Sequence, residues 1–162
     1  MNACMNPHTA APDKDLETSM TNVTPQVADL LERITNVEPT VTDAANGVRL
    51  TSPLVFPDGI GAGAVTAELF RYRDQVRLDI RVDHDRVFAS PSGEPTERRC
   101  FLNDYIASVT LAAGTEALPA DFVRSVVAGI AAARDAVRRH NKQAKAPWNE
   151  VRVTALEDVP AR

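Results

Sequence analysis

Histidine and cysteine are scarce in this chain, three and two residues of 162, and that scarcity limits the chemistry open to it. Cys4 and Cys100 are too few to build a disulfide framework. Cys100 falls in a strand-like run with no histidine at an instructive spacing, which favours an inert, half-buried thiol over a nucleophile. Ser90, Ser92 and Ser108 lack the G-x-S-x-G elbow that exposes a catalytic serine. The one dense group of metal-ligand residue types, Asp83-His84-Asp85, reads as a charged hairpin tip, because neighbouring strand residues point to opposite faces and do not converge on an ion. Gly59, Gly61 and Gly63 match neither GxxxxGK[ST] nor GxGxxG, and they precede a strand pattern instead of a helix N-terminus, so they read as a connector. No catalytic residue, metal or cofactor is indicated, and the expectation is a protein that is not an enzyme.

Long apolar runs are missing as well. No stretch of about 18 apolar residues is available to span a bilayer, and the polar first twenty residues carry no apolar core of a secretory signal. A cytoplasmic protein without membrane contact is expected. The net charge of -4 speaks against a protein whose main task is holding a polyanion, since sequence-independent affinity for nucleic acid comes from neutralising phosphates. Lysine is rare, and 15 of the 18 basic residues are arginine, a bias that a GC-rich coding sequence produces as readily as recognition of planar anions.

What the chain does contain is alternation. From Val65 to Ser90 apolar and polar residues alternate in three runs, the period-2 signature of strands with one buried face. Val76, Leu78, Ile80 and Val82 point one way, and Arg77, Asp79, Arg81 and Asp83 the other. If Arg73-Asp74 form a two-residue loop, Val65, Ala67 and Leu69 fall opposite Val82, Ile80 and Leu78. A one-residue slip would set Glu68 against Ile80, so the first register is preferred. A second break at His84-Asp85 would then place Val87 and Ala89 opposite Val82 and Ile80, and Phe88 across from Arg81.

The remaining segments frame this meander. Residues 1–23 show no periodicity and are expected to form a disordered tail, leaving residues 24–162 as a single domain. Thr24-Pro25 reads as a helix opening, followed by Val27, Leu30, Leu31 and Ile34 at helical spacing to about Thr35. Thr40–Asp43 and Val48–Phe56 flank the turn signal Asn46-Gly47 and predict a hairpin, with Pro53 marking an edge or a strand end. Arg98–Leu111 reads as a long strand bent near Asn103-Asp104, with Tyr105 and Ala107 on one parity. A long helix from Leu118 to about Asn141 buries Phe122, Val126, Ile130, Ala133 and Val137, with Val123 and Val127 widening the stripe. Glu150 to Leu156 alternates again as an added edge strand. Consecutive strands with helices at the ends predict an α+β fold: an antiparallel sheet of about five to six strands packed against a long C-terminal helix and a short N-terminal one.

The functional expectation lies on the polar side of the meander. There Phe70, Tyr72, Arg77, Arg81, Arg86 and Phe88 are expected to share a face with Glu68, Asp79 and Asp83, and Arg138 and Arg139 add cations at the end of the long helix. Exposed aromatic and arginine groups are what protein interfaces enrich. The leading expectation is a small binding protein, an adaptor, chaperone-like factor or self-associating chain, whose partner is another protein or a second copy. The alternative is single-stranded DNA or RNA bound on the same face, bases stacking on rings while cations follow the backbone. Over residues 63–142 the sheet-plus-helix arrangement resembles single-strand-binding modules of the Whirly type; the resemblance is architectural, carries no residue motif, and implies that same nucleic-acid activity.

Overall fold

The computed structural model describes the backbone of residues 13–54, 62–89, 95–143 and 150–151, with side chains described over 14–54, 63–84, 105–136 and at 139. In chain order these form α1 (Asp13–Thr35), β1 (Thr40–Ala44), β2 (Gly47–Leu54), β3 (Ala62–Tyr72), β4 (Gln75–Ala89), β5 (Pro95–Leu111), α2 (Ala120–Gln143) and β6 (Glu150–Val151). The fold is α+β. Strands β1 to β5 make an antiparallel meander in sequence order, and β6 pairs with the far end of β4 at Val87 and Phe88. The connector at 55–61 and the loop at 90–94, like residues 1–12, fall outside the described residues.

The β3–β4 hairpin has the register that alternation predicts, with Val65 opposite Val82, Ala67 opposite Ile80 and Leu69 opposite Leu78. Arg73, first of the two loop residues, takes a positive φ of 58°, as the primed hairpin turns require. The β1–β2 hairpin turns at Ala45-Asn46, with Asn46 at φ 61°. Pro53 lies in β2 beyond Thr51, the last residue that β1 pairs, where its missing N–H deprives no neighbouring strand.

One face of the sheet is covered by both helices. Leu50, Leu54, Val65, Leu69, Val76, Leu78, Ile80 and Val82 meet Val23, Val27, Leu30 and Leu31 of α1 and Phe122, Val126 and Ile130 of α2 in one buried cluster. α1 lies over β2, β3 and β4, and α2 over β5 and the neighbouring part of β4. The helices run parallel. Gln26 bonds both the carbonyl of Glu116 and the N–H of Leu118 near the start of α2, and one turn or more further along each helix Arg134 Nη2 donates to the Ile34 carbonyl.

Three expectations need correcting. First, α1 begins at Asp13, so residues 13–23 are not a tail. Leu16 and Val23 are fully buried and extend the helical repeat backwards. Ser19, also buried, accepts a hydrogen bond from the N–H of Gly114 at 2.7 Å and donates to the Asp15 carbonyl. Thr24 caps nothing: its hydroxyl donates back to the Met20 carbonyl at 2.7 Å, an intrahelical i−4 bond. Pro25 sits inside the helix with its ring exposed, and burial of the residues on either side outweighs its cost of about 3 kcal/mol.

Second, β4 does not turn at His84-Asp85 but continues to Ala89 and pairs with β5, because His84 extends the inward series Val76, Leu78, Ile80, Val82 and is itself fully buried. Phe88 consequently lies opposite Glu97, not Arg81. Third, Val127 does not widen the buried stripe of α2. It is 49% exposed, on the side of that helix turned toward α1 and solvent.

The Gly47–Phe70 pair, the first of the β2–β3 ladder, depends on a glycine. A Cβ on Gly47 would collide with the backbone oxygen of Leu69 and sit 2.7 Å from the Cα of Phe70. Backbone cannot step aside as a side chain would, so Gly47→Ala should destabilise the protein by about 1–3 kcal/mol, read as a lower urea midpoint at unchanged slope.

Candidate binding face

The face of the sheet away from the helices is laid out in rows by the strand registers. One row runs Thr42, Arg49, Glu68, Asp79, Ser108, and the next Thr40, Thr51, Thr66, Arg81, Tyr105. A third carries Phe70 opposite Arg77. The sheet therefore brings Phe70, Tyr72, Arg77 and Arg81 together on one face, as expected. Phe70 is half-buried among its neighbours, whereas Tyr72 is 49% exposed.

Each guanidinium in these rows is held by a carboxylate. Arg49 meets Glu68 at 3.0 Å, Arg77 Nε donates to Asp79 Oδ1 at 2.9 Å, and Arg81 lies 3.6 Å from Asp83. Ser108 Oγ donates to the same Asp79 oxygen at 2.5 Å. Hydrogen bonding to Asp79 and its charge hold the Arg77 guanidinium above its usual pKa, so it stays protonated throughout the working range. Three arginines face three carboxylates, and the face is charged but balanced.

Two rings complete it. The Arg73 guanidinium lies 5.4 Å from the centre of the Tyr72 ring, and Arg81 lies 6.0 Å from that of Tyr105, within reach of cation–π attraction. Tyr105 is the most exposed of the large hydrophobic side chains among the described residues, at 68%. Sequence reasoning grouped it with Ala107 and missed it. The pairing of β4 with β5 jumps from Ile80–Ala107 to Arg81–Tyr105, so Ile106 is an extra residue in a β-bulge, and the bulge turns Tyr105 outward while Ala107 stays against the core. The only signal was the change of alternation near Asn103-Asp104.

Other expected members do not join this face. Arg139 is exposed on α2, in the layer behind the sheet. Arg86 lies opposite Arg99 in β4; its side chain, with those of Phe88 and Arg138, falls outside the described residues. Asp83 and His84 point to opposite faces, Asp83 toward Arg81 and His84 into the core. Among the described residues no helix is long and apolar enough to cross a membrane. Comparison with family models, with characterised proteins and with solved structures finds no match to this chain.

The two tyrosines, the only ones in the chain, give a direct check on this face. Tetranitromethane should nitrate both Tyr72 and Tyr105 in the native protein, giving a doubly nitrated species by mass spectrometry. Resistance of Tyr105 would contradict the outward turn at the bulge.

Proposed function

We propose that the protein is not an enzyme but acts by binding another protein, or a second copy of itself, through the outer face of the sheet. The observation that carries this reading is the pairing of Arg49, Arg77 and Arg81 with Glu68, Asp79 and Asp83 beside the outward rings of Tyr72 and Tyr105. A face with balanced, fixed charges and large rigid rings suits a protein surface, where opposite charges meet in register and rings supply area at little entropic cost. A rigid sheet also presents those groups already ordered, which limits what association must spend on ordering them.

Single-stranded nucleic acid is the second reading, favoured by the Arg81–Tyr105 stack, on which a base could extend. Against it, a phosphate approaching Arg77 meets the negative charge of Asp79, which Ser108 holds in place as well. Little counterion release is available from cations already neutralised inside the protein.

The test compares wild type with the Tyr72→Ser/Tyr105→Ser double variant, both positions being exposed. Sedimentation equilibrium measures self-association, and quantitative affinity capture followed by mass spectrometry measures partners. The double variant should lose association at least about tenfold, as expected when central aromatic anchors are removed, while its melting curve stays that of wild type. A labelled single-stranded oligonucleotide should show little binding between about 50 and 200 mM salt. Tight, steeply salt-dependent retention abolished by Arg77→Ala/Arg81→Ala would replace the protein-binding reading with the nucleic-acid one.

A further inference from the structure

The helical layer carries a second surface, independent of the sheet face. Between α1 and α2 runs an open groove of about 370 Å³ with Leu30, Ile34, Val123, Val127 and Ala131 along it and Arg33 and Arg134 at its rims. It continues past Arg33 into a more polar cavity of about 750 Å³ that includes Gln26, Asp29 and Glu32. From Val123 to Arg134 the groove follows twelve residues of α2, a span of roughly 16 Å at the helical rise.

The arginines here lack the carboxylate that several others have. Arg49, Arg71, Arg77, Arg81 and Arg124 each pair with a carboxylate. Among the described residues Arg33 meets no carboxylate. Arg134 makes one long hydrogen bond, 3.4 Å, to the Ile34 carbonyl and meets no carboxylate among the described residues; its buried Nε, like that of Arg81, has no hydrogen-bond partner. Two guanidinium groups without a carboxylate therefore line an apolar strip, and an incoming carboxylate can make charge-assisted hydrogen bonds to them.

We propose that the α1–α2 groove docks a short amphipathic helix of a partner protein, apolar along one stripe and acidic where it passes Arg33 and Arg134. Three observations select this occupant. The groove is about three helical turns long, which accommodates apolar side chains at i, i+4 and i+7. It is open along one side with Val127 on its rim, so it can cover one stripe of a helix but not the whole surface of a small apolar molecule, which binding pockets normally enclose. Its charge order, acidic at Asp29 and Glu32 and basic from Arg33 to Arg134, fixes the direction in which a charged helix lies.

The experiment uses the full chain with labelled methyl groups and three probes. These are a leucine-striped synthetic helix of about 18 residues, long enough to hold helical structure, flanked by glutamates; its counterpart with lysine for glutamate; and dodecanoate. The glutamate peptide should shift the methyl resonances of Leu30, Ile34, Val123 and Val127 and bind at least about tenfold more tightly than the lysine peptide. Arg33→Glu should reverse that preference, and Val127→Asp should weaken both peptides. Both positions are exposed, so unfolding curves of the variants should match wild type. Equal binding of the two peptides, insensitivity to Arg33→Glu, absence of peptide binding, or groove shifts with dodecanoate alone would each overturn the proposal.

Discussion

With Arg73 and Asp74 taking the turn, Leu69 faces Leu78, Ala67 faces Ile80 and Val65 faces Val82, and all six are fully buried. Sliding β4 by one residue would carry Val76, Leu78, Ile80 and Val82 to the solvent side and push Arg77, Asp79 and Arg81 under the helices. Exposing four such side chains costs about 1.5–3 kcal/mol each, a sum comparable to the whole stability of a domain. The register is for that reason not negotiable, and the turn accommodates it. Arg73 adopts the left-handed region although it is not glycine, at a cost of about 1–2 kcal/mol that the buried pairs outweigh.

Once that face is fixed, both helices follow. The buried side of β2, β3 and β4 is wider than one helix covers, and α1 and α2 lie beside one another to close it. This explains why α1 is longer than its sequence suggested. Helix over Asp13–Thr24, ahead of Pro25, looks unfavourable judged by local preference, but Leu16, Ser19 and Val23 have a sheet and a loop to pack against, and tertiary contact overrides that preference. At the other end of α1 the local signals were sufficient. Asn36 takes the left-handed region just past the last turn, with its N–H bonded to the Glu32 carbonyl at 2.7 Å, and Thr35 joins buried Ser52 of β2 through their hydroxyls at 2.8 Å.

Periodicity thus made the β3–β4 register, the β1–β2 hairpin and the class of the fold legible, because each depends on residues adjacent in sequence. The members of the outer face contributed by β5 were not. A bulge changes which parity faces out, and nothing within Leu102–Val109 marks which residue is the extra one. The answer comes from α2: Gly129 leaves room for the Ile106 side chain, and a Cβ there would collide with Ile106 Cγ2. Ile106 is drawn toward that gap, β5 absorbs the added residue, and Tyr105 turns to the far side beside Arg81. A helix that begins only at Ala120 therefore decides the composition of a surface it never touches. The uninterrupted course of β4 past His84 has the same origin, since a histidine reads as polar until the space that buries it is known.

The sheet face and the α1–α2 groove treat positive charge differently, and the difference has a structural cause. On the sheet, residues two apart on one strand and directly opposite on the next lie within reach of one another, so Arg77 finds Asp79, Arg81 finds Asp83 and Arg49 finds Glu68 without any backbone adjustment. Such pairs hold the side chains in place more than they stabilise the fold, exposed pairs being worth well under about 1 kcal/mol. Their effect is to fix donors and acceptors in a pattern that a partner can read. Beside the groove the residue a turn before Arg134 is Ile130 and its facing neighbours on α1 are Leu30 and Ile34, so no described carboxylate pairs with it, whereas Arg124 on the same helix has Asp121 three residues before it. If both surfaces bind as proposed, the sheet face, with its charges paired, would select partners by shape and register, whereas the groove would select them by charge. Lying on opposite sides of one core, the two surfaces can be occupied at once without competing for the same atoms.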